Sequence, residues 1–269
     1  MELSGVDPGL WPALGKHVSR QGGNRKRRYH ADGSEPLYIV FPYANPLRQA
    51  TPGKALHELR HMHHLQTDLP SSYTSQNIKR EFDDLLARVT SPRAPPTLLF
   101  TIFLGANDAC LIGDSEYVPL PKFEENIRGF VDTILNRNEL VRANVMLITP
   151  PPINIPDPLP DDGQGSSQDP KLDRGYRTYL SKKKYADKIM QIAAEYEHTG
   201  RVIGLNYWKA LVDAALKEQG RLGQEDSYDE ERLPGCGLSG AKAFGKGYFT
   251  DGLHLNTVVC GMPILRYLG

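Results

Sequence analysis

From about residue 73 onward the chain switches repeatedly between two hydrophobic periods, and no other feature narrows its fold as far. Ile78, Phe82, Leu85, Leu86 and Val89 recur at helical spacing, with Asn77 placed to cap the helix and Pro92, Pro95 and Pro96 placed to stop it. Leu98 to Leu104 is then a short apolar run between Pro96 and Gly105, the pattern of a strand covered on both faces. Phe123, Ile127, Phe130, Val131, Ile134 and Leu135 return to helical spacing, and Asn144 to Thr149 reads as a second buried strand ended by Pro150, Pro151 and Pro152. A long helix bearing Tyr176, Tyr179, Leu180, Tyr185, Ile189, Ile192 and Tyr196 follows, then a strand at Arg201 to Leu205 and a helix bearing Trp208, Leu211, Val212, Ala215 and Leu216. Strands that alternate with helices need crossover connections. The expected fold is therefore α/β, a parallel sheet with helices on both faces and ligands beyond the carboxyl ends of the strands. Seven prolines in residues 150–170 make that stretch a long surface loop, of a kind that shapes pockets.

Residues 1–72 differ in kind. They hold six of the eight histidines, the basic run Arg25-Lys26-Arg27-Arg28 and one strand-like run, Leu37 to Phe41, with no amphipathic helix of useful length. The expectation is an atypical, loosely packed or disordered segment over 1–72 and a folded domain over 73–269.

Composition excludes several functions. Lys plus Arg and Asp plus Glu are both 32, so no global positive field draws the chain to nucleic acid, and no nucleic-acid partner is expected. The longest mostly apolar run, Leu98 to Ala106, is far short of the ~20 residues of a membrane helix, so no membrane span is expected. Residues 1–20 lack the basic-then-apolar pattern of a secretory signal, and three cysteines cannot form a complete disulfide framework. A cytoplasmic setting is the expectation; nothing in the chain fixes the oligomeric state.

Two short stretches carry residues suited to chemistry. Gly105-Ala106-Asn107-Asp108 directly follows the first strand, where a glycine admits close backbone approach and an Asn amide can donate to a developing oxyanion. Thr250-Asp251-Gly252-Leu253-His254-Leu255 places a carboxylate three residues before an imidazole across a flexible glycine, so the carboxylate can hold one ring tautomer while the other nitrogen acts as a general base. Either stretch alone also reads as an ordinary polar turn.

In this order, the two stretches resemble motifs of a known family. Leu99 to Cys110, around Gly105-Ala106-Asn107-Asp108-Ala109, is similar to the third block of the SGNH (GDSL-type) esterases and lipases, and Thr250 to Leu255 to their fifth. Val118-Pro119-Leu120, Glu125-Asn126 and Leu147-Ile148-Thr149-Pro150-Pro151-Pro152 match the isoamyl-acetate-hydrolysing esterase-like branch in order and spacing, and the resemblance covers about residues 73–256. It implies a three-layer α/β/α SGNH-hydrolase fold and a carboxylic-ester hydrolase acting on small acyl esters, with no cofactor and no metal. By the same resemblance His254 is the general base, Asp251 its orienting carboxylate, and Asn107 and Gly105 belong to the oxyanion hole.

The departures are as specific as the match. No Gly-Asp-Ser-Leu-like nucleophile block precedes Asn107; the only Gly-Asp-Ser, Gly113-Asp114-Ser115, follows the third block, and Ser34 precedes its candidate strand instead of following it. The nucleophile is therefore unassigned. Leu69-Pro70-Ser71-Ser72 stands where relatives carry an oxyanion-hole glycine, and Gly261 and Pro263 interrupt the region of the family's closing helix, so the family pattern is incomplete at both ends. Taken at face value, the missing serine block predicts little hydrolysis of a simple ester, and the alternative is a catalytically dead, esterase-like binding scaffold. A remote rival is a zinc metalloprotease through His57-Glu58-Leu59-Arg60-His61, whose histidines would share a helix face, although Arg60 lies between them and no core-facing helix flanks them. Cys110 reads as a packing residue, not a nucleophile.

Overall fold

The computed structural model describes residues 73–155 and 174–256. Within them the chain runs α1 (Lys79–Val89), β1 (Leu99–Phe103), α2 (Leu120–Leu135), β2 (Asn144–Ile148), α3 (Arg174–Glu195), β3 (Val202–Leu205) and α4 (Tyr207–Glu218). The three strands form one parallel sheet in the order β1-β2-β3, with Phe103 opposite Ile148 and Ile148 opposite Leu205. The alternation of periods thus resolves into the α/β fold expected of it.

The strand register sorts the apolar residues onto two faces. Phe100, Ile102, Val145, Leu147 and Val202 point to one side, where they pack with Phe82 and Leu85 of α1, with Phe123, Ile127, Phe130 and Ile134 of α2, and with Ile189 and Ile192 of α3. Phe103, Met146, Ile148 and Leu205 belong to a second cluster, with Trp208, Leu211 and Val212 of α4 and Tyr179 of α3. Each buried large apolar side chain contributes about 1.5–3 kcal/mol, so the sheet is held by its two apolar faces far more than by its two short ladders. Gly204 is the point of closest approach. A Cβ there would lie 2.8 Å from that of Ala193, so α3 seats directly on β3.

Two polar devices fix the ends of these elements. The Arg201 guanidinium donates to the carbonyls of Leu135, Leu140 and Ala143, gathering the last turn of α2 and the entry to β2 around one cation. At the start of α1 the structure corrects the expected cap. Asn77 Oδ1 accepts from the Thr74 N–H at 2.7 Å while Thr74 Oγ1 accepts from the Asn77 N–H at 3.3 Å. The reciprocal pair makes Thr74 the capping residue, one turn earlier, with Asn77 in the returning role usually taken by Glu or Gln.

The expected loose segment 1–72 lies outside the described residues. So do Ser34, the His57–His61 motif, most of the proline-rich loop beyond Ile155, and residues 257–269.

Candidate active site

Both sequence-marked stretches lie off the carboxyl edge of the sheet. After β1 the chain turns at Gly105, whose φ of +113° suits glycine, and a Cβ there would come within 3.2 Å of both the Phe123 ring and Pro150. The residues beyond it coil tightly, with Ala109 N–H donating to Gly105 O and Cys110 N–H to Asn107 O. Asn107 Nδ2 donates to the Tyr73 carbonyl at 3.0 Å, which ties the amide to the segment that enters α1.

Asp108 anchors the same turn from below. Its side chain is fully buried, and one oxygen accepts from both Ser75 N–H, at 2.9 Å, and Ser75 Oγ, at 2.5 Å, while Asn126 Nδ2 donates to that same hydroxyl. The second oxygen, Oδ2, is buried with no hydrogen-bond partner. Desolvation raises the Asp108 pKa above its ordinary value, and the two Ser75 bonds oppose the rise. The backbone closes the arrangement, since Val118 N–H donates to Asp108 O.

The Asp251–His254 loop is built from its own residues. Asp251 Oδ1 accepts from the backbone N–H groups of Leu253 and His254, and Asp251 Oδ2 meets His254 Nδ1 at 2.5 Å. These bonds, the His254 N–H first among them, hold the Asp251 carboxyl down at about 2, so it is ionised at neutral pH. An ionised carboxylate can only accept. The proton of a neutral His254 therefore sits on Nδ1, and Nε2 is left as the basic nitrogen.

Backbone bonds hold this loop against the segment that follows β2. Thr250 N–H donates to His254 O, Phe249 and Leu255 form an antiparallel bridge, and Asn154 N–H donates to Gly252 O at 2.7 Å. Gly252 has φ +88°, and a Cβ there would meet Asn154 O at 2.7 Å, so a larger residue would push the loop off its support. The Asn154 side chain is itself fixed by Phe244 N–H. β1 and β2 are parallel neighbours, so Asn107 just past β1 and the Asn154-supported loop just past β2 share the edge at which open α/β sheets bind ligands.

Two other sequence candidates have environments that do not suit a nucleophile. Ser115 is exposed, and its hydroxyl donates to Glu116. Cys110 is a half-buried free thiol whose pKa burial pushes up, which disfavours the reactive thiolate. Among the described residues no cluster of three or more His, Cys, Asp or Glu side chains is placed to hold a metal ion. His254 makes no side-chain hydrogen bond to any described serine.

One neighbour of Asn107 went unmarked in the sequence. Lys182 of α3 is 4% exposed, and its Nζ donates to the Ala106 carbonyl at 2.5 Å. Its signal was a cation on an apolar stripe, since Tyr179, Lys182, Ala186 and Ile189 succeed one another at spacings of three and four.

Comparison with known proteins gives one family match, two partial relatives and a distant structural likeness. The family described as GDSL-like Lipase/Acylhydrolase matches residues 46–259. Two GDSL esterase/lipases of Arabidopsis thaliana are 42% identical over 57 residues and 39% identical over 62 residues, stretches that make up 20% and 22% of this chain. The chain spans only 23% and 25% of those relatives' own lengths. A catalytic mutant of Axe2, an acetylxylan esterase from Geobacillus stearothermophilus, is 18% identical with a TM-score of 0.43, over 74% of this chain and 69% of the other. The family match covers well over half of the sequence, and the chain belongs to the GDSL-like lipase/acylhydrolase family.

Proposed function

With family membership as the premise, we propose that this chain is a carboxylic-ester hydrolase acting on small acyl esters, with His254 as general base, Asp251 as its orienting carboxylate and Asn107 and Gly105 in the oxyanion hole. The observation that carries this reading is the 2.5 Å contact between His254 Nδ1 and an Asp251 carboxylate held ionised, which turns the basic Nε2 outward. In the reaction His254 Nε2 takes the proton of a serine hydroxyl as it attacks the ester carbonyl, and Asp251 stabilises the imidazolium so formed. The tetrahedral oxyanion is met by the Asn107 amide, and His254 returns the proton to the leaving alcohol as the ester C–O bond breaks; a water molecule deprotonated by His254 then attacks the acyl-serine and releases the acid and the serine hydroxyl. No cofactor enters these steps. The preference for small acyl esters rests on the resemblance to the isoamyl-acetate-hydrolysing branch. A cytoplasmic location is part of the same proposal, supported by a sequence whose three cysteines cannot form a complete disulfide framework.

A second reading, an esterase-like scaffold that binds without turnover, is favoured by one observation. No described serine is bonded to His254, and Ser75, Ser115 and Ser227 spend their hydroxyls on Asp108, Glu116 and backbone carbonyls. Steady-state hydrolysis of p-nitrophenyl acetate separates the two. The hydrolase reading expects saturable turnover above buffer; a rate no higher than buffer at any enzyme concentration leaves only the scaffold.

A further inference from the structure

We propose that Lys182 is a positioning residue for the oxyanion turn: its buried ammonium grips the Ala106 carbonyl and thereby sets where Asn107 stands. The inference rests on the hydrolase reading for its catalytic consequence, but its structural half stands on geometry alone. Lys182 enters from α3, and its Nζ donates to the peptide oxygen directly preceding Asn107 at 2.5 Å, a short bond from a charged donor. The residue is 4% exposed, so the bond forms where the low local dielectric strengthens it and where few water molecules can replace it.

Two further features of the turn support such a grip. Asp108, on the other side of Asn107, is fully buried and bonded to Ser75, so the dipeptide links around Asn107 are held from opposite sides by a cation and an anion. The Ala106 carbonyl shares its peptide with the Asn107 N–H, so a cation on the oxygen polarises that amide and raises its strength as a donor. The Asn107 side chain bonds Tyr73 O, and the Asn107 carbonyl accepts from the Cys110 N–H. Lys182 adds a restraint from α3 on the peptide that precedes Asn107.

The test compares the intact chain with Lys182→Met, which keeps the bulk of the side chain and removes its donor, and with Lys182→Arg, which keeps a cationic donor. Amide hydrogen exchange of residues 104–110 should accelerate about tenfold in Lys182→Met, the scale of one charged hydrogen bond, with exchange in α2 unchanged. For p-nitrophenyl acetate kcat should fall about tenfold with KM within about twofold, and Lys182→Arg should recover part of kcat. A merely structural lysine would lower the melting temperature and leave the kcat of the folded fraction intact, so rates are read well below both transitions. Unchanged exchange in residues 104–110 overturns the proposal, and so does faster exchange with unchanged kcat. If the intact chain turns over no ester at all, the hydrolase reading fails together with the catalytic role of Lys182, while the exchange arm still decides whether the grip exists.

Discussion

The two halves of the candidate site are held by different physics. The Asn107 turn is restrained by partners far away in sequence: Tyr73, Ser75 and Lys182 all bond to it, Asn126 braces the Ser75 hydroxyl, and Asp108 has no exposed surface. The Asp251–His254 loop is restrained mostly by itself, through bonds spanning two to four residues, and the Asp251 side chain is 53% exposed. One half inherits its precision from the core, and the other writes its geometry into a single Asx turn. Substitutions should therefore separate chemistry from stability in one region and entangle them in the other.

The largest effect is expected at His254. His254→Ala should cost about 10²–10⁴ in turnover, the usual contribution of a general base, with a small effect on the thermal transition because the loop is held mainly by its backbone bonds and by Asp251. Turnover within a few-fold of the intact chain would remove His254 from the mechanism. Next, Asn107→Ala should cost about 10²–10³ in kcat as an oxyanion donor and should also lower stability, because it leaves the Tyr73 carbonyl unpaired. A stable Asn107→Ala chain with full activity would break the comparison at its buried end.

Stability should divide the two carboxylates. Asp108→Ala strands the buried Ser75 N–H and hydroxyl and should destabilise by about 1–3 kcal/mol in denaturant unfolding. Asp251→Ala, at an exposed site, should stay within about 0.5 kcal/mol while abolishing most activity. Equal destabilisation by both would show that the contrast between core-held and self-held loops is false.

The smallest effect, and the most diagnostic, is in pH. Asp108 has a raised folded pKa, so its ionised form costs stability at neutral pH and that cost is relieved as pH falls through the raised value, above 3.8. Asp251 has a lowered one, so the stability it contributes is present above 3.8 and is lost as pH falls toward about 2. Carbonyl-carbon NMR of the two side chains should show Asp108 titrating above, and Asp251 below, the ordinary aspartate value. Because Asp251 is half exposed, solvent screening keeps its share of global stability small, and loosening of the loop should be clearer than unfolding.

Much of this was legible in the sequence because buried strands, helical stripes and prolines are strong local signals. Leu98 to Leu104 reads as a strand without any knowledge of its partners, and the structure trims it by one residue at each end. The Asp251–His254 spacing was legible for the same reason, since an Asx turn is a local object. Asn77 reads as a cap by residue type, but the cap belongs to Thr74 three residues earlier, and Asn in place of the Glu or Gln of a capping box makes that local signal weak. What else escaped was non-local. Lys182 stands on an apolar stripe, but the Ala106 carbonyl that explains it lies 76 residues away in sequence. The nucleophile carries no motif here, so neither residue type nor spacing singles out one serine.

The direct test of the account is therefore active-site labelling. The intact chain and His254→Ala are each treated with a serine-directed fluorophosphonate, and the labelled peptide is identified by mass spectrometry. The account predicts one serine, other than Ser115, modified in the intact chain and spared in His254→Ala, because only a hydroxyl deprotonated by that imidazole attacks phosphorus rapidly. No modification of the intact chain, or equal modification of both, would contradict it.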